Sequence, residues 1–116
     1  MTTATHLPAL VSEHLEKARS SSAGRSAVTV YGGREHTLRQ TLIALAAGKR
    51  LGEHESPGEA TLQVLQGTVV LHAGDADTWT GSAGDHAIIP LQRHDLEATE
   101  DAVVLLTVAL AAEHTD

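Results

Sequence analysis

Residues 48–67 read GKRLGEHESPGEATLQVLQG. A glycine stands at each end, His54 lies between them, and an apolar run precedes the closing Gly67. Ser56-Pro57-Gly58 is a turn signal, so the flanking pieces Arg50–Glu55 and Ala60–Gln66 are expected to be two short strands.

Working outward, the same punctuation continues in both directions. Upstream, Val28–Tyr31 is β-prone and Gly32-Gly33 breaks it. Thr37–Ala46 is long and apolar, and its β-branched residues favour a strand over a helix. Downstream, Thr68–His72, Asp77–Thr80, Ala87–Ile89, His94–Ala98 and Ala102–Leu110 are each bounded by turn residues. The count is about nine short strands with turns every 8–12 residues or so, the pattern of an all-β sandwich or barrel. Only Leu7–Ser20 reads otherwise. Leu7, Leu10, Val11, His14, Leu15 and Ala18 recur at three- and four-residue steps, which predicts one amphipathic α-helix. Pro8 suits its first turn, and Thr5 or His6 is placed to cap it. The expected organisation is a tail and helix over 1–24 and a β-barrel over 25–116, one domain in all.

Composition narrows the function. The formal charge is −7, from 15 acids against 8 Lys and Arg. An acidic chain without a basic patch disfavours nucleic acid as a partner. No apolar run is long enough to span a bilayer as a helix, so no membrane is expected. There is no cysteine, which excludes disulfides and thiolate metal sites. That absence fits a reducing cytosol, and with no signal-peptide pattern at the start the expected location is cytoplasmic. Trp79 and Tyr31 are the only aromatics, so the core must be aliphatic, and Trp79 is expected to pack on a sheet. Eight histidines are spread through the chain.

Two stretches carry a family resemblance. Gly48 is followed by five residues and His54, and Gly67 closes the run; Gly84 is followed by five residues and Pro90, with His94 four beyond it. In this the chain resembles a small single-domain cupin, with the 16 residues between Gly67 and Gly84 at the short end for the family. The resemblance implies a jelly-roll β-barrel. It also implies a divalent metal held by three histidines and a glutamate, and activities ranging from dioxygenases and isomerases to storage and sensor proteins. The motif is degenerate here. Ser56 stands at the place of the second histidine, Ala60 at the place of the glutamate and Gln92 at the place of a glycine, and the second motif is one residue short.

His54 and His94 are thus the two metal candidates that remain by position. Two imidazoles hold a divalent ion such as Fe, Mn, Ni or Zn weakly. Glu59, His36, His72 and His86 are the candidates for a third ligand, although Glu59 is one residue out of register with the lost glutamate and should face the opposite way. Beside this stands a blander reading, in which His54 and His94 are hydrogen-bonded remnants and His72 and His86 lie on the surface. Arg39, Gln40 and Ser56 are the polar candidates for contacting a small molecule inside the barrel, Arg39 by recognising a carboxylate. The expected function is a small-molecule-binding cupin with weak or no metal binding and no assigned catalysis. The alternative is a metal-dependent enzyme of dioxygenase or isomerase type, using His54, His94 and a recruited third ligand. A homodimer is expected, formed through sheet edges, the helix and the apolar last strand.

Overall fold

The computed structural model describes residues 2–55, 58–74 and 77–110. One helix, α1 (Leu7–Ser20), precedes eight strands: β1 (Arg25–Tyr31), β2 (Leu38–Leu45), β3 (Glu59–Gln66), β4 (Thr68–Ala73), β5 (Asp77–Ser82), β6 (His86–Ile88), β7 (His94–Ala98) and β8 (Ala102–Ala109). All strand pairs are antiparallel. Five strands form one sheet in the order β1-β2-β8-β3-β6, and three form another in the order β5-β4-β7. The expectation of an all-β chain with one helix therefore holds.

Alternation sets the two faces of the large sheet. Ile43 and Leu45 of β2, Leu62 and Val64 of β3, and Val104 and Leu106 of β8 point inward and pack with Val69, Leu71 and Leu96 of the small sheet. The intervening residues Leu42, Ala44, Val103 and Leu105 point outward, where Val11, Leu15 and Ala18 of α1 cover them. Strand β8 is therefore apolar on both faces, which explains its unbroken run AVVLL. It is also paired on both edges, with β2 and β3, so it presents no free edge.

Helix α1 forms as its periodicity predicts, with His6 as N-cap but without a side-chain capping bond. His14 belongs to the buried face and is 5% exposed. Its Nδ1 lies 2.7 Å from the Ser26 hydroxyl on β1, a bond worth about 1 kcal/mol that satisfies the buried ring. Farther along, Arg19 Nε donates to Asp101 Oδ2 at 2.7 Å, while Asp101 Oδ1 accepts the Ala47 N–H at 2.9 Å. The Arg19 guanidinium and this peptide N–H hold the Asp101 carboxyl below the ordinary aspartate value.

Strand count and barrel closure depart from expectation. Arg50–Glu55 does not form a ninth strand. It makes two isolated bridges to β7, Arg50↔Glu97 and His54↔His94. Gly52 lies between them with φ +99°, a left-handed conformation that interrupts the pleat. Among the described residues the two sheets face each other without closing into one continuous hydrogen-bonded ring.

The closing glycine of the 48–67 stretch makes the β3–β4 turn. Gly67 has φ +78°, and a Cβ there would collide with the Asp101 carbonyl; Gly48 has φ +82° and open space around it. Gly48→Ala is expected to cost about 1–2 kcal/mol from backbone strain alone. Gly67→Ala should cost clearly more, because strain and collision add. Urea unfolding of the two variants checks this ordering, and equal penalties would contradict it.

Candidate functional site

The site lies where residues 48–55 run along β7. The Gly48 N–H donates to the Ala98 carbonyl at 2.8 Å and the Leu51 N–H to the Leu96 carbonyl at 3.0 Å. His54 and His94 exchange backbone N–H···O=C bonds of 3.0 Å in each direction. Residues directly opposite in such a pair project their side chains to the same side of the sheet. The two rings accordingly meet, with centroids 4.5 Å apart and planes 68° from parallel. His94 is 4% exposed and His54 is exposed, so the pair spans from the interior to its open end.

Both rings are oriented in the same way. His54 Nδ1 is 2.9 Å from the Gly52 carbonyl, and His94 Nδ1 is 2.9 Å from the Gln92 carbonyl. A carbonyl oxygen only accepts, so each Nδ1 carries the proton and donates it. In the neutral ring the lone pair then sits on Nε2. A backbone carbonyl behind the far nitrogen is how proteins fix an imidazole that must offer its other nitrogen to a ligand or metal.

Asp95 underlies this arrangement, and sequence reasoning missed it. As a strand neighbour of His94 it points to the opposite face, yet it is only 5% exposed. Its Oδ1 accepts the Gly52 N–H at 2.9 Å and its Oδ2 accepts from Arg50 at 3.2 Å. The Gly52 peptide is therefore held through its N–H by Asp95, and its carbonyl in turn holds the His54 ring. Beyond it, Glu97 Oε1 meets His72 Nε2 at 2.9 Å and Arg50 at 3.3 Å. The His72 ring, and then Arg50, keep the Glu97 carboxyl below the ordinary glutamate value.

Inside, the histidines share a cavity of about 50 Å³ with apolar walls that include Ile43, Leu62, Leu71, Leu96 and Leu106. Ligand pockets are usually ~300–1,000 Å³, so this one accepts a few waters or a very compact molecule without rearrangement. Trp79 packs on the interior cluster and over Gly81, as a packing residue does.

The other candidates are dispersed. Ala60 is buried and inward, in the place of the family glutamate, and Glu59 is exposed at the start of β3. His36, in the β1–β2 connection, meets Tyr31 edge-to-face, with ring centroids 5.1 Å apart. His86 is exposed on β6, and His72 is tied to Glu97 and Arg50. Among the described residues no group of three or more His, Asp or Glu is placed to hold a metal. Ser56 lies outside the described residues. Arg39 shares the inward face of β2 with Ile43. Gln40 shares the outward face with Leu42 and bonds Thr107 across the strands at 3.2 Å, so it is not a contact of the interior.

Among the described residues no helix is long and apolar enough to cross a membrane. No family model matches the chain, and no curated protein does. Solved structures do resemble it. A conserved protein of unknown function from Streptococcus pyogenes is 26% identical with a TM-score of 0.70, and 80% of each chain is covered. A cupin superfamily protein from Desulfitobacterium hafniense is 17% identical with a TM-score of 0.65, covering 74% of this chain and 79% of that one. A mutant salicylate 1,2-dioxygenase from Pseudoaminobacter salicylatoxidans, in complex with gentisate, is 17% identical with a TM-score of 0.74. Here 87% of this chain aligns with 32% of that one.

Two variants probe the support beneath the histidines. Asp95→Ala leaves the Gly52 N–H without its acceptor and is expected to cost about 1–3 kcal/mol in urea unfolding, with loss of the His54–His94 ring contact by NMR. Glu97 titrates with a lowered value, so its contribution is complete above the ordinary carboxylate range and is lost as pH falls through its folded value. The stability gap between wild type and Glu97→Gln should accordingly be present at neutral pH and vanish in acid; a gap that persists in acid would contradict it. With these features in place, the chain has the fold of a small cupin domain.

Proposed function

We propose that this cupin binds a compact small molecule in its barrel against His54 and His94, and that it holds a divalent metal weakly or not at all. The observation that carries the reading is the matched pair of Nδ1–H···O=C bonds, which leaves two adjacent Nε2 lone pairs beside an apolar cavity. Such lone pairs accept hydrogen bonds from a hydroxyl or N–H of a ligand, while the aliphatic walls take its apolar part.

The same nitrogens are the donors through which Fe, Mn, Ni or Zn would be held. The fit to a tight centre is incomplete, because such centres use three or more protein ligands and a third is absent among the described residues. No chemical step is therefore assigned to a metal. The second reading, a metal-dependent enzyme with a recruited third ligand, draws support from the orientation of the two rings, which suits metal as well as it suits a hydrogen-bonding ligand.

Metal titration separates the two. Protein purified from metal-supplemented cells should carry substoichiometric metal, and added Zn²⁺ or Ni²⁺ near the protein concentration should leave the melting temperature unchanged. Near-stoichiometric metal that is lost in His54→Ala/His94→Ala would overturn the weak-metal reading and favour the enzyme.

A further inference from the structure

We infer that the ligand of this barrel is a short-chain monocarboxylate, anchored through Arg39. The inference rests on the small-molecule reading above and names the ligand class.

Arg39 is the chain's anomalous cation. Arg19 and Arg50 are paired with Asp101 and with Asp95 and Glu97, and Lys17 with Glu13. Arg34, Lys49 and Arg93 form no ion pair among the described residues, but they are exposed, and water satisfies them. Arg39 is half-buried, and its Nε is buried without a hydrogen-bond partner among the described residues. In a chain with 15 acids, none of the described ones reaches it. A buried guanidinium N–H without an acceptor is costly to retain unless something supplies the acceptor.

Its position fits a ligand anchor. Arg39 lies on the inward face of β2, and its register partner is Val108. Val108 lines the same cavity as His54 and His94, and its own partner on the other side is Ala60. Arg39, Val108 and Ala60 thus form one row across the sheet, with Arg39 one strand spacing, about 4.8 Å, from the cavity wall. Gly32 lies against the start of the stem, where a Cβ would meet Arg39 Cα and Cγ. No acid stands on this row: Ala60 is apolar and Glu59 is exposed. A planar fork of donors on the inward face, with no acid on its row, matches a carboxylate, which accepts two parallel N–H bonds. The cavity of about 50 Å³ with aliphatic walls limits the remainder to a short apolar tail.

Butyrate and its neutral counterpart butyramide are the probes, titrated calorimetrically into the metal-free protein. Butyrate should bind about tenfold or more tightly than butyramide, the ratio expected of one charge-assisted pair. Arg39→Gln should abolish that preference, and Arg39→Lys should retain part of it. Each variant is accepted only if its melting temperature stays near that of wild type. His54→Ala/His94→Ala should weaken both probes and leave their ratio intact. Equal binding of the two probes to wild type, or an undiminished preference in Arg39→Gln, overturns the carboxylate assignment and leaves the small-molecule reading standing. Absence of butyrate binding likewise overturns the carboxylate assignment.

Discussion

The Asp95 carboxylate is the tie on which the candidate site depends. One oxygen takes the Gly52 N–H and the other takes Arg50. Gly52 is left-handed in the middle of residues 48–55, so continuous strand pairing cannot hold them to β7. Asp95 supplies the missing attachment at that break. With Gly52 fixed, its carbonyl receives the His54 Nδ1–H, and the bridge to His94 brings the second ring alongside. A carboxylate on one face of β7 thereby sets the orientation of an imidazole on the other.

The interior between the sheets is aliphatic. Where the family pattern places a glutamate, Ala60 adds only a methyl group, and the space between the sheets is taken by leucine, isoleucine and valine. Filling the barrel in this way lowers the polarity around the two histidines. It strengthens any hydrogen bond they make and raises the cost of burying an unpaired charge beside them. Compact, partly apolar ligands suit such a space better than a hydrated divalent ion with only two protein donors. The outer polar cluster of Arg50, His72, Asp95 and Glu97 is segregated on the other side of the small sheet, where each acid has a cation or an imidazole partner.

Much of this was legible in the residues. The glycine and proline spacing marks the turns, and the alternation of apolar residues places Ala60 inward and Glu59 outward. His54 and His94 are recognisable from their distance to those glycines. The ninth strand was overcounted because Arg50–Glu55 has strand-like composition; Gly52 within it is the sign of a break, and only the positive φ shows that the break is real. Of the adjacent pair Arg39 and Gln40, alternation allows only one to face inward, and the direction is set by pairing with β8, a strand far away in the chain. Asp95 carried no local signal at all. Its partner Gly52 is 43 positions away, and a backbone N–H bears no mark in the sequence.

The central claim is that His54 and His94 are both held as Nδ1–H tautomers and offer bare Nε2 atoms to the cavity. Long-range ¹H–¹⁵N NMR of the imidazoles in metal-free protein at alkaline pH reads this directly. A protonated Nδ1 and an unprotonated Nε2 are expected for both residues. Protonated Nε2 in either ring, or rapid averaging between tautomers, would contradict it.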